Sequence, residues 1–181
     1  MAKKFYLVRH GNAKGQEPDA VLTEDGCLQA EIIADLLRSL GINRIVSSTF
    51  RRAVDSIRPL AKSLELPIET DVRLIEASLS AVNYPDWIDR LKATFDDYDL
   101  SYDGGESSRD ATARAVASIN DVLTMDGSLP VIVSHGRLLS LLLRHLDKRY
   151  GFEFWQALTS PDIFSVIVQD SGDVAVTRLW H

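Results

Sequence analysis

Short β-rich runs and segments of helical periodicity alternate along all 181 residues, and that alternation restricts the fold more than any other feature. Residues 5–8 read as a buried strand. Thr23 caps a helix on which Cys27, Ala30, Ile33, Ala34, Leu37 and Leu40 recur at helical spacing, with Gly41 as its stop. A strand over 44–47, a helix over 50–64 and a strand start at 67–70 follow. The stretch 71–106 is less regular and holds one helix, opened by Pro85 and running to Phe95. Ser107 or Ser108 then caps a long helix with Ala115, Val116, Ile119, Val122 and Leu123 on one face. Residues 130–134 form a continuous apolar strand, and a Leu-rich helix starts near Arg137. A helix over 152–158 precedes strands over 163–169 and 174–180, which Ser171-Gly172-Asp173 joins as a hairpin. The expected fold is one three-layer α/β/α domain spanning residues 1–181, with a mostly parallel central sheet and an antiparallel edge.

In open α/β sheets, ligands bind beyond the carboxyl ends of the strands. Three of the predicted strands end in residues suited to an anion: Arg9-His10-Gly11, Ser47-Ser48-Thr49-Phe50-Arg51-Arg52 and Ser134-His135-Gly136. A guanidinium offers phosphate a fork of donors, and glycine lets backbone N–H groups approach closely. The helix start that holds Arg52 and the one directly after Gly136 add further N–H groups and a positive dipole end. Each feature alone has a plain reading: a polar strand edge, a pair of solvated helix arginines, a packed histidine. Together at the carboxyl ends of one sheet they specify a phosphate site.

The balance of the chain narrows the partners. Its net charge is −6, which disfavours a nucleic-acid or anionic-membrane surface and makes local basic clusters more telling. The N-terminal residues pass too soon into a strand to be a signal peptide, and the apolar segment 138–146 is too short to span a bilayer. A cytoplasmic protein is expected. The lone Cys27 allows no internal disulfide and no metal site, and its helical neighbours suggest a buried structural thiol. His145 reads as a helix-surface or capping residue and His181 as a mobile terminus. Trp87, Trp155 and Trp180 read as packing residues, Trp87 with the option of lining the entrance. Arg137 has two equal readings, contact with the non-phosphate part of a substrate or surface exposure. Nothing in the residues specifies an oligomeric state.

Six segments carry a resemblance: Leu7-Val8-Arg9-His10-Gly11, Leu22-Thr23-Glu24-Asp25-Gly26 with Gln29-Ala30, Ser47-Ser48-Thr49-Phe50-Arg51-Arg52-Ala53, Leu74-Ile75-Glu76, Asp103-Gly104-Gly105-Glu106-Ser107 and Val133-Ser134-His135-Gly136. In their order and separations, over nearly the whole chain, they closely resemble the histidine phosphatase superfamily, the phosphoglycerate-mutase-like proteins. The resemblance implies that His10 is a nucleophile forming a phosphohistidine. It implies that Arg9, Arg52 and His135 hold the phosphoryl oxygens, that Gly11 and Gly136 contribute backbone, and that Glu76 donates a proton to the leaving oxygen. Asn12 and Gln16 stand as further substrate contacts, since a Gln amide can donate where the family often has Asn. No metal and no cofactor is implied, because cationic side chains stabilise the transition state. The implied reaction is hydrolysis of a small phosphorylated metabolite.

Some positions depart from the family pattern. Ala77-Ser78-Leu79-Ser80 replaces the usual glycine- and tryptophan-containing stretch after Glu76, and Asn12-Ala13 replaces an acid-then-hydroxyl pair. Asn12-Ala13 and residues 22–27 are similar to the small phosphohistidine protein phosphatases of the same superfamily. The longer chain, the Glu76 segment and Asp103-Gly104-Gly105-Glu106-Ser107 favour the small-molecule branch instead. A mutase needs a site closed to water, and the middle of the chain lacks room for the segments that close it. A non-catalytic phosphate-binding or interaction module is the least favoured reading, because Arg9, His10, Arg52 and His135 are all present.

Overall fold

A computed structural model describes residues 2–125 and 127–180. The expectations for Met1 and for His181 lie outside them. Among these residues six strands form one sheet in the order β3-β2-β4-β1-β5-β6. They are β1 (Lys3–Arg9), β2 (Arg44–Ser48), β3 (Ile68–Asp71), β4 (Pro130–Ser134), β5 (Asp162–Val168) and β6 (Val174–Arg178). β1, β2, β3 and β4 run parallel, while β5 pairs antiparallel with β1 and with β6. The expected parallel sheet with an antiparallel edge is therefore present, and the terminal hairpin is β5-β6.

The helices are α1 (Glu24–Leu37), α2 (Arg51–Leu64), α3 (Trp87–Asp96), α4 (Ser108–Val122), α5 (Gly136–Leu146) and α6 (Phe152–Gln156). Strand period sorts the core into two layers. Tyr6, Val8, Ile45, Val131 and Val133 point to one face and pack on Ile33, Leu37, Ile57 and Leu60 of α1 and α2. Phe5, Leu7, Val46 and Ile132 point to the other and pack on Phe95, Ala115, Leu138 and Leu142 of α3, α4 and α5. Thr23 is the N-cap of α1, its hydroxyl accepting from Gly26 N at 2.9 Å. Ser107, not Ser108, caps α4 by accepting from Asp110 N.

Three expectations need correction. Cys27 is exposed. The inward stripe of α1 runs Gly26, Ala30, Ile33, Ala34, Leu37, and Cys27 lies about 100° around the helix from Gly26. α6 stops at Gln156 and not at 158, because the chain turns to lay the carbonyls of Leu158 and Thr159 against Arg9. Of the two readings of Arg137, surface exposure is overturned. It is 4% exposed and donates to Ala77 O, Thr94 Oγ1 and Ser108 Oγ. Sequence reading also missed a one-turn 3-10 helix, Val72–Leu74, which turns the chain after β3 towards Glu76. His145 is exposed in the last turn of α5, and Trp87 is largely exposed with its ring edge-on to Trp155.

Candidate active site

Strand order and register assemble the site. β1 and β4 are central neighbours with Arg9 opposite Ser134, so Arg9-His10 and His135-Gly136 leave the sheet side by side. β2 flanks β4, which sets Ser48 beside His135 and starts α2 with Arg51 and Arg52 over the same edge. β3 adds the chain that carries Glu76. All four carboxyl ends meet at one point, and the 158–160 segment ahead of antiparallel β5 closes the side next to Arg9.

His10 is 7% exposed and sits between two partners of opposite kind. Its Nδ1 faces Gly11 O at 2.7 Å, and Arg52 Nε donates to its Nε2 at 3.1 Å. A carbonyl can only accept and a guanidinium can only donate, so Nδ1 carries the hydrogen and Nε2 carries the lone pair. Burial, reinforced by the charges of Arg52 and Arg9, lowers the His10 pKa from 6.5 to about 3, against the Gly11 carbonyl, which raises it. The imidazole is neutral at physiological pH, and its Nε2 lone pair accepts from Arg52 Nε.

His135 is wholly buried, its ring edge-on to His10 with centroids 5.0 Å apart. Its Nε2 lies 2.8 Å from Ser48 Oγ, which accepts from Phe50 N at 3.2 Å. The Ser48 hydroxyl hydrogen meets no other acceptor among the described residues, and donated to Nε2 it puts the ring proton on Nδ1. Burial first, then the charges of the neighbouring site, hold His135 well below the usual histidine range. Four buried side-chain atoms among the described residues have no protein hydrogen-bond partner: Ser128 Oγ, Arg137 Nε and, at this edge, His135 Nδ1 and Arg9 Nε. Two orphaned donors at the edge that also holds the His10 imidazole call for an oxygen-rich acceptor.

The two site guanidiniums are rigidly held. Arg52, 1% exposed, donates through Nη1 to Gln16 O (3.0 Å) and Glu17 O (2.9 Å). Arg9 donates to Thr159 O and Leu158 O and lies flat over Gly136, where a Cβ would stand 3.1 Å from its Cζ and Nε. A Cβ at position 136 would press on that guanidinium. Burial lowers the pKa of both arginines and the Glu76 charge opposes it, so Glu76 lies within electrostatic reach of each.

The Glu76 carboxylate stands at the start of α5. Oε1 accepts from Ala77 N (2.9 Å) and Leu138 N (3.0 Å), and Oε2 from Arg137 N (3.2 Å). The sequence reading offered these helix-start amides to phosphate; in the structure two of them serve Glu76.

Gly11 donates its amide to Ser56 Oγ at 2.9 Å. Asn12 engages through backbone, donating to Gln29 Oε1 and accepting from Thr23 N. Gln16 enters through its carbonyl on Arg52, with its side chain exposed. Sequence reasoning missed Ser56, Ser160, whose hydroxyl donates to His10 O at 2.9 Å, and Asp162, which pairs with Arg178 and accepts from Thr159 N. For Ser56 a signal existed: a polar residue one helical turn after Arg52 on an otherwise apolar stripe. Ser160 and Asp162 lie 150 or more residues from His10 in sequence, and no local pattern links them.

Comparison with known proteins gives a consistent picture. The sequence model of the histidine phosphatase superfamily (branch 1) matches residues 5–180. Two relatives named "Probable phosphoglycerate mutase GpmB", from Yersinia pestis (strain Pestoides F) and Yersinia pseudotuberculosis serotype O:1b, are 32% identical over 162 residues, covering 79% of this chain and 74% of theirs. Among solved structures, a mycobacterial glucosyl-3-phosphoglycerate phosphatase in complex with inorganic phosphate superposes with a TM-score of 0.78 at 27% identity, covering 97% of this chain and 95% of that one. YhfR of Bacillus stearothermophilus shares the fold, with a TM-score of 0.77 at 22% identity over 97% and 96% of the two chains.

Proposed function

This chain belongs to the histidine phosphatase superfamily, branch 1, and from that premise we propose that it hydrolyses phosphomonoesters of small metabolites through a transient phosphohistidine on His10. One observation carries the reading: His10 is neutral, with Nδ1–H held on Gly11 O and the Nε2 lone pair aimed into a cluster of arginine donors. In the first step that lone pair forms the N–P bond while the bond to the ester oxygen breaks. A phosphoryl oxygen replaces Nε2 as the acceptor of Arg52 Nε, and Arg9 Nε and His135 Nδ1 take the oxygens their burial leaves them to bind. Glu76 gives a proton to the departing alkoxide through Oε2, the oxygen with fewer amide partners. In the second step the Glu76 carboxylate takes a proton from water, whose oxygen attacks phosphorus, releasing inorganic phosphate and restoring His10.

A carboxylic acid within electrostatic reach of Arg9 and Arg52 favours an oxygen leaving group over the nitrogen of a phosphohistidine protein. The name of the Yersinia relatives supports a second reading, phosphoryl return to an acceptor as in a mutase. The test is a rapid-quench reaction with a labelled phosphomonoester in EDTA. Acid-labile, base-stable label on wild type and none on His10→Ala is the expected result. Product phosphate in solution identifies a hydrolase, and label returned to a second hydroxyl a mutase. No turnover and no label with any phosphomonoester would leave a phosphate-binding module.

A further inference from the structure

All five N–H groups of one guanidinium are committed to the segment that carries Glu76 and to one carboxylate. Arg114, on α4, donates through Nε to Glu106 Oε2 at 3.0 Å and through Nη2 to Glu106 Oε1. Its other donors reach backbone: Nη1 to Arg73 O at 2.6 Å and Ile75 O at 3.0 Å, Nη2 to Glu76 O at 3.4 Å. These three carbonyls bracket the approach to Glu76, whose carboxylate points away to the start of α5.

Glu106 is fixed in turn. Its amide donates to Ser78 O at 3.0 Å, and Ala81 N donates to Asp103 O at 2.8 Å. Between them Gly105 passes so close to Leu79 O that any Cβ would overlap it. Asp103-Gly104-Gly105-Glu106-Ser107, to which the hydrolytic mechanism assigns no step, is thus a backbone splint along residues 78–81 that ends by capping α4. Exposed ion pairs contribute little. This one is half-buried and bidentate, and the same fork that meets the carboxylate meets the three carbonyls.

We infer that Arg114, aimed by Glu106, is the positioning residue for the proton donor, transferring the rigidity of α4 to the backbone of Glu76. The inference rests on Glu76 acting as the acid. Lysine cannot substitute, having three donors around a point charge and no planar fork.

The test uses kcat/KM for a series of aryl phosphates, from 2,4-dinitrophenyl phosphate, whose leaving group needs no proton, to phenyl phosphate. Glu76→Gln tests the acid assignment alone: its loss should grow along the series, and a flat loss overturns that assignment. Arg114→Met keeps the apolar stem and removes the fork. Its loss should follow the same trend, from under about threefold at the dinitrophenyl end to about 100-fold at the phenyl end, the scale of a misplaced catalytic group. Added to Glu76→Gln, Arg114→Met should cost less than about threefold more. Arg114→Lys should restore little, and Glu106→Gln, a gentler change in shape, should show the same slope at smaller amplitude. A loss equal for all leaving groups, or no loss, in Arg114→Met and Glu106→Gln while Glu76→Gln shows the slope would overturn the positioning role. Should Arg114→Met fail to fold, Glu106→Gln decides by the same criterion.

Discussion

Lowering the pH from 7 to 5 is expected to cost the folded state about 2 kcal/mol through His10 alone. The imidazole is all but enclosed, and burial together with Arg52 and Arg9 lowers its pKa from 6.5 to about 3. Between these two values the unfolded chain binds a proton that the folded chain refuses. Stability therefore falls as pH drops through that window, and levels off below it. Each unit of pKa difference is worth about 1.36 kcal/mol, so the full effect approaches 5 kcal/mol, of which about 2 is lost by pH 5. His135, also held neutral, acts in the same direction. The measurement is urea unfolding at pH 7 and pH 5 for wild type and His10→Gln. Glutamine keeps an acceptor for Arg52 and does not titrate, and contributions of surface carboxylates cancel between the two proteins. Wild type should lose about 2 kcal/mol more than the variant. Equal losses would show that the folded protein takes up the His10 proton as readily as the unfolded chain, and would refute the burial-driven lowering of its pKa.

Four further outcomes follow from the site. Inorganic phosphate should raise the melting temperature of wild type, by the equivalent of about 2.7 kcal/mol at a hundred times its Kd, and should leave Arg52→Met unmoved. Gly136→Ala should lower kcat/KM about 100-fold by pushing Arg9 off its seat, while thermal unfolding changes by less than about 1 kcal/mol. Ser48→Ala leaves His135 Nε2 without its hydroxyl and frees the tautomer, so kcat/KM should fall about tenfold, read from initial rates. Ser56→Ala strands the Gly11 amide and should cost about 1–3 kcal/mol in urea unfolding.

Period and punctuation made the fold legible. Alternation of two-residue and helical periods, the Thr23 and Ser107 caps and the terminal hairpin are local features, decided by steric and hydrogen-bonding preferences within a few residues. Arg9, His10, Arg52 and His135 could be placed because a parallel sheet brings its carboxyl strand ends to one edge regardless of loop detail. What the chain could not reveal on its own depends on contacts between distant segments. Cys27, and Arg137 in its surface reading, were misjudged because a helical pattern gives a spacing, while which face turns inward depends on what packs there. Only the register of β2 against β4 puts Ser48 on His135, and only the packing of α4 against the Glu76 segment turns Arg114 and Glu106 from ordinary charges into a clamp. The chemistry of the pocket was written in residue types at strand ends; the tautomers, the seat of Glu76 and the clamp behind it came from tertiary structure, because hydrogen bonding and burial are properties of neighbours in space.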